Sequence, residues 1–471
     1  MTLTQLPIIK GDKIANSYET DYRDNLLVNM YAVKRDILGA KGYIIDYPGL
    51  TQFTTGTGID RGGVYNERFN KHFRVSGNSL IEIDENGTII NLGNIKGSGQ
   101  VAMPYSFNTQ AVIASGRMYL YNPTSGLVEI TDPDLGNPID GAWIDGYYFL
   151  TDGEYIYHTE ISDETSIDPL DYATAEFMPD ESIGVSKTQD NKVNVFGSYS
   201  FEQFIDAATE DFAFQRIDAR SQKAGIVGTH AKVELGGNLY IVGGRKNENP
   251  SVYILGVGSA TKIANREIEK KLSGYTKNQL SKTIMESRVE HDISFLIIHL
   301  PYETICFNVT AAESFGADQA WSILKTGIHP NQRYRAINGV FDPRISKWIY
   351  GDKFDSRIGC LDNTVKTQYG ENVESIFYSS LINFETQSIN SIELATIPGH
   401  TAEIDAKVAI SRTIDGVSYN SEYWMQYGQP TDYKKQFKLN RLGYVRHWLG
   451  LKFRSTSKAR MAFSTLMVDH G

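Results

Sequence analysis

Fourteen carboxylates, with no lysine or arginine among them, fall between residues 132 and 182. Two carboxyl groups held roughly 5 to 10 Å apart can cleave a glycosidic bond, one as acid and the other as base or nucleophile. This run offers many candidates for such a pair. The end of the chain is biased the other way. Between 430 and 471, Lys434, Lys435, Lys438, Arg441, Arg446, Lys452, Lys458, Arg454 and Arg460 face Asp432 and Asp469 alone, a net of +7 against a whole-chain net of -10.

A run of like charge is ordinarily a solvated face. The sharper reading is that the two stretches meet unlike partners, or each other's neighbours in an assembly, because complementary fields set register. Lys434, Lys435, Lys438, Arg441, Arg446, Lys452 and Arg454 are therefore the candidate partner-contact patch. Asp132, Asp134, Asp140, Asp145, Asp152, Asp163 and Glu164 are the candidate acidic patch, facing a channel or an interface. The basic stretch could touch phosphates, but the acidic majority elsewhere argues against nucleic-acid binding by a free monomer.

Other chemistries find no residues to carry them. The nine histidines include no pair spaced four apart with a glutamate for zinc proteolysis. There is no phosphate-binding Gly-x-x-x-x-Gly-Lys loop and no Gly-x-Ser-x-Gly elbow, and Gly256-Val257-Gly258 lacks the third glycine of a dinucleotide site. Cys306 lies in an alternating strand and reads as a buried, inert thiol. His299, in the same run, reads as a core or edge histidine. Ser411-x-x-x-Asp415-Gly416-x-x-Tyr419 is similar to the Asp-box hairpin of sialidases, but it occurs once, with shifted spacing, and reads as an ordinary hairpin turn. No cofactor or metal is expected.

The elements that must position these groups are strands. Tyr (28), Phe (21), Val, Ile and Thr suit pleated, half-buried surfaces, and 42 Gly supply turns. From Gly62 the chain is a string of short strands and tight turns, with Glu85-Asn86-Gly87 and Asp145-Gly146 as hairpin signals. The pattern repeats about every 40 residues, the length of a four-stranded propeller blade. A tandem of β-sandwiches is the alternative. Residues 1–60 read as an arm with the first strands, Pro48-Gly49 as a turn, and 61–370 as a β-propeller of about six to seven blades. A helical insertion near 265–288 rests on the capping box Thr276-x-x-Gln279 and on Leu280, Ile284 and Met285 at helical spacing. Residues 371–471 alternate strongly and read as a β-sandwich. Two cysteines exclude a disulfide scaffold. The absence of an apolar run of 18 residues and of a signal-like start predicts a soluble product of a cytoplasm, with no membrane anchor.

Many unremarkable residues also match one family in order and spacing. They include Leu6-Pro7, Leu27-Val28-Asn29-Met30, Pro48-Gly49-Leu50, Val252-Tyr253-Ile254-Leu255-Gly256, Leu296-Ile297-Ile298-His299-Leu300-Pro301 and Gly351-Asp352-Lys353. The ending matches as well, from Thr413-Ile414-Asp415-Gly416-Val417 through Arg441-Leu442-Gly443 and Arg446 to Leu451-Lys452-Phe453-Arg454. The chain resembles the tail accessory factor, or packaged-DNA stabilisation protein, of short-tailed, Lederbergvirus-like bacteriophages. The resemblance covers nearly the whole chain and is thinnest over 100–220. It implies a virion structural protein in the phage tail: a ring of six copies beneath the head-to-tail adaptor on the portal. Such a ring continues the channel for packaged double-stranded DNA, helps retain that DNA, and supports tailspikes and tail needle. It implies no catalytic residue. The competing reading from the residues is a carbohydrate-binding or glycoside-hydrolysing propeller.

Overall fold

A computed structural model describes residues 2–6, 26–37, 39–161, 163–209, 212–384, 386–396, 403–432 and 434–470. Among these, seven antiparallel sheets follow one another along the chain. Their innermost strands, where a strand is defined, are Asp60–Asn66, Asp140–Ile144, Ser182–Lys187, Lys232–Leu235, Ile284–Glu290 and Ala336–Asp342. In the second sheet this position is held by isolated bridges of Ala102 and Tyr105 to the strand Gln110–Ala114.

The circle closes on itself. The seventh sheet takes its outer strand, Gly49–Thr55, from the chain ahead of the first sheet, pairing Asp362 with Gly49 and Arg357 with Thr55. Its inner strand packs against Asp60–Asn66. Because each sheet is a meander, reversals alternate between two rims. The first reversal of every sheet lies on one rim, here the first rim, and the connection to the next sheet lies on the second.

Hairpin chemistry is local and explicit. Asp145 and Gly146 both take positive φ (50° and 101°), the type I′ requirement between Asp140–Ile144 and Tyr147–Thr151. Each sheet buries an alternating face against the next: Phe73, Val75, Val112 and Tyr119 fill one gap, and Ile144, Phe149, Val195 and Phe204 another.

The helical insertion is shorter than the spacing predicts. Helices span Arg266–Ser273 and Lys277–Leu280, and the second begins with the Thr276/Gln279 capping box. It stops at Leu280. Ile284 and Met285 instead open a strand whose seven residues all pair with Ile293–His299, through a His291-Asp292 turn with φ of 47° and 64°. Paired inner-strand geometry outweighs a weak helical spacing there. A further helix, Val309–Phe315, is capped by Asn308.

Two more sheets face each other at the C-terminal end. One contains Met30–Ile37, Ala40–Asp46, Ala462–His470, Gln387–Thr396 and Phe437–Val445; the other contains Ser375–Tyr378, Trp448–Ser455, Ala406–Thr413 and Tyr423–Gly428. Phe377, Phe453 and Phe463 stack between them, with ring centroids 4.5 and 4.8 Å apart. Strands near the start of the chain thus complete a sheet made mostly from its end.

The two bodies share backbone hydrogen bonds. Leu27–Val28 pairs in parallel with Trp321–Leu324, the outer strand of the sixth sheet, and Val28 pairs with Ile376 of the sandwich. Asn29, at φ 50°, holds this junction: its Nδ2 donates to Lys325 O (3.0 Å) and Glu374 O (2.8 Å), while its Oδ1 accepts from Lys325 N (2.9 Å). Asparagine tolerates that backbone conformation better than most residues.

Candidate interaction surfaces

A buried polar network ties the first, sixth and seventh sheets together at the inner strands of the propeller. Arg74 makes a two-pronged pair with Asp60 (2.7 and 3.0 Å) and donates to Asn338 O at 2.8 Å. Asn338 Nδ2 also reaches Asp60, and Gln100 Nε2 donates to Asn338 Oδ1 at 2.6 Å. A bulge in the seventh inner strand turns the amides of Asn338 and Gly339 onto the Glu286 carboxylate. On its other side Glu286 meets His299 Nε2 at 2.9 Å, and Lys353 Nζ lies 2.8 Å from His299 Nδ1.

Burial, with the Lys353 ammonium beside it, lowers the His299 pKa. Burial drives Lys353 itself down to about 7. Glu286 is buried, which works against ionisation, yet the facing imidazole and two amides hold its pKa below the ordinary value. A cavity of about 170 Å³ remains beside the network, lined by Ser186, His230, Lys232, Met285, Glu286 and Asn338.

The acidic run is distributed over both rims. Asp145 sits in the first reversal of the third sheet and accepts two bonds from Asn191. Asp163 and Glu164 lie in a later loop on that same rim; Asp163 caps Thr165, and Glu164 accepts from Thr109 at 2.6 Å. Asp132, Asp134 and Asp152 belong to connections on the opposite rim, and Asp132 Oδ2 also accepts from Ile167 N, at 3.2 Å, in the loop that carries Asp163 and Glu164. Asp132 caps a short turn at Asp134 N, and Asp152 caps Glu154 and Tyr155. Asp140 is buried on the inner strand, where it accepts from Val185 N and pairs with Lys232 at 2.6 Å. Nearby, Glu160, Asp168 and Asp171 bring carboxylate oxygens within 4.8 Å of one another.

The basic run is divided too. Lys452 and Arg454 lie on the outer face of one sandwich sheet. Lys452 is over the Tyr419 ring, and Arg454 is paired with Glu422 (2.6 Å) and stacked on Trp424 (5.3 Å). Lys438 lies opposite Glu393 on the outer face of the other sheet, along the edge strand Phe437–Val445. Charges on an edge strand discourage pairing with a foreign strand. Exposed Arg441 and Arg446, and Lys434 and Lys435 ahead of that strand, complete the set. Asp415 accepts from Val417 and Ser418 in an ordinary turn, and Cys306 is buried with its Sγ 2.7 Å from Tyr47 Oη.

Sequence reading did not find the inner-strand network. Its members come from the first, sixth and seventh sheets and the connection before the second, and no local spacing links them. No described helix is long and apolar enough to cross a membrane.

A meander of sheets closed into a circle and locked to a sandwich defines a two-domain β-propeller protein. Comparison with known sequences gives the family. Residues 4–366 match the family described as Bacteriophage P22 Gp10, beta-propeller, and 374–471 match Bacteriophage P22 Gp10, beta-sandwich; the chain belongs to this family. It is 29% identical to the tail hub protein gp10 of Salmonella phage P22, over 98% of each chain. Among solved structures, virginiamycin B lyase from Staphylococcus aureus aligns with a TM-score of 0.43 at 11% identity, over 68% of this chain and 99% of that one. The Pan2 WD40 domain of Neurospora crassa gives 0.42 at 9%, over 69% and 99%.

Proposed function

We propose that this chain is the structural hub of a short phage tail and acts without turning over a substrate. The observation that carries this reading is the end-to-end match, across both domains, to a relative named as a tail hub protein. Six copies close into a ring beneath the head-to-tail adaptor on the portal, and the ring carries tailspikes and tail needle. Two structural features support the reading. The shared sheet at Leu27–Val28 lets each copy behave as one stiff wedge. The cavity at the centre of a single propeller is only about 170 Å³, far too small for a duplex whose major groove alone is about 12 Å wide. The packaged DNA therefore runs between copies, in the bore of the ring.

The test is to mix the purified chain with portal–adaptor complexes and measure mass by light scattering, while mass spectrometry looks for the polypeptide in purified tails. Six copies added per portal, and the chain present in tails, are expected. A chain absent from tails, or one that hydrolyses glycans with a defined rate constant, would overturn the reading.

A further inference from the structure

Two side chains tie as the most exposed large apolar residues among those described: Leu170 and Ile414, each at 72%. One belongs to the third propeller sheet and the other to the sandwich, and each sits among charges mostly of one sign, acidic at Leu170 and basic at Ile414. Solvent-facing apolar groups rimmed by one sign of charge mark contact surfaces more often than scattered exposed residues do.

The first patch lies on the first rim of the third sheet. Ile161 and Leu170 are exposed in its later loop, and Phe107 of the second sheet is exposed on the same rim with the Arg68 guanidinium over its ring at 5.4 Å. Phe107 is fixed edge-on to Trp143 at 4.9 Å, and Thr109, two residues on, ties the loop through Glu164. The loop itself carries Glu160, Asp163, Asp168 and Asp171 and no lysine or arginine, while Arg68 lies over Phe107 and Lys187 over Trp143 beside it. The acidic trio satisfies its own turns and carries no ligand argument; its part here is the sign of its field.

The second patch is the free tip of the sandwich. Strand Trp448–Ser455 ends at the propeller, where Ser455 O accepts from Lys366, and Arg460 reaches Asn363. Its beginning is therefore the distal end. Ile414 and Val417 on one hairpin, and Tyr444 and Trp448 on another, are exposed there, and Arg412 joins the hairpins by donating to Leu442 O at 2.7 Å. Arg441 and Arg446 flank them, exposed. Of the acids nearby, Glu422 is paired with Arg454, while Asp415 caps its own turn and stays ionised, its pKa held down by those bonds, against Arg412, Arg441 and Arg446.

We infer that the occupant of each patch is a second copy of this chain: the sandwich tip of one copy seats on the acidic, apolar third-sheet loop of the next. The patches are different, opposite in charge, and separated by the propeller, since the sandwich joins at the sixth sheet and the loop belongs to the third. One patch binding itself would stop at a two-fold dimer. Two unlike patches make a head-to-tail contact, which is the kind that closes into rings. This inference rests on the hub reading and supplies its subunit contact.

The experiment is a double-cysteine chain, Leu170→Cys with Ile414→Cys, assembled on portal–adaptor complexes and treated with an oxidant or a short bismaleimide. Both native cysteines are buried and stay silent. The expected result is a denaturing-gel ladder ending in a covalently closed ring, with neither single variant going beyond a trace of dimer. In parallel, Arg446→Glu lowers ring occupancy about tenfold at moderate salt, and adding Glu160→Lys restores it, with monomer melting unchanged in each chain. A ring that forms from the double-cysteine chain without a ladder overturns this contact while leaving the hub reading standing. Failure of the unmodified chain to form any ring removes both.

Discussion

A buried ion pair lies at the seam where the propeller closes, alongside the pairing of Gly49–Thr55 with Arg357–Asp362, and its removal gives a quantitative test. Arg74 is fully buried on the second strand of the first sheet, and Asp60 begins that sheet's inner strand. The guanidinium makes two bonds to the carboxylate and a third to Asn338 O across the seam where the last sheet meets the first. Burial raises the Asp60 pKa, and the Arg74 charge pulls it back in part. The pair thus sits in surroundings where neither charge is well hydrated. Replacing Asp60 by Asn keeps the shape but leaves Arg74 charged, dry and short of its counter-ion.

Breaking one side of such a pair costs about 3 to 5 kcal/mol, whereas replacing both charges by packed apolar groups is often close to neutral. Asp60→Asn should therefore destabilise the propeller by about 3 kcal/mol or more. Arg74→Met with Asp60→Asn should recover at least half of that loss, because the stranded cation is gone. Urea unfolding followed by tryptophan fluorescence, with limited proteolysis to report on the seam, measures both. A single variant that costs under about 1 kcal/mol, or a double variant worse than the sum of the singles, would refute the claim that the seam depends on a compensated buried charge.

Three further outcomes follow from particular contacts. A β-carbon added at Gly351 would lie 2.1 Å from Asp60 Cγ and 2.3 Å from its Cβ, so Gly351→Ala should destabilise the same seam by about 2 kcal/mol or more, read in the same unfolding curves. Burial drives the His72 imidazole down to about 4, although Asp342 lies 3.4 Å from its Nδ1, and Arg74 approaches its Nε2 at 3.3 Å. The unfolded chain takes up that proton near pH 6.5 while the folded chain resists, so stability falls by about 3 kcal/mol as pH drops from 6.5 to 4. A His72→Gln chain should lack that component of a stability-against-pH series. Asn29→Ala removes three hydrogen bonds at the shared sheet and places alanine at a φ of 50°, at a cost of about 3 kcal/mol. Calorimetry should then resolve separate propeller and sandwich transitions where the native chain shows one.

Local chemistry was legible in the sequence wherever it was self-contained. The Asp145-Gly146 turn, the Thr276/Gln279 capping box and the inert Cys306 all depend on residues within a few positions, or on simple alternation. Long-range pairing was not legible. Nothing in Met30–Ile37 or Ala40–Asp46 marks their place beside Ala462–His470. Gly49 shows the same limit: next to Pro48 it reads as a turn glycine, yet it stands in a strand, and its lack of a side chain admits Thr367 O to 2.2 Å from where a β-carbon would be. The inner-strand network was invisible for the same reason, since Arg74, Glu286 and Asn338 meet through topology.

The charge runs carry this limit into function. In a meander that reverses every five to seven residues, a continuous acidic stretch cannot form one continuous acidic surface, because alternate loops are delivered to opposite rims. Asp134 and Asp152 lie in connections on the other rim from Asp145, Asp132 reaches back to Ile167 N (3.2 Å) in the loop that carries Asp163 and Glu164, and Asp140 is paired with Lys232. Most of these carboxylates cap turns, which is sufficient reason for aspartate at those positions. What distinguishes the first-rim group is its company: Leu170 and Ile161 stand exposed in the same loop, where turn capping gives no reason for apolar side chains. The sandwich tip repeats the combination with the opposite sign. Coincidence of exposed apolar area with unlike charge in two different domains is a property of the folded chain, and it selects the contact that a ring of identical copies requires.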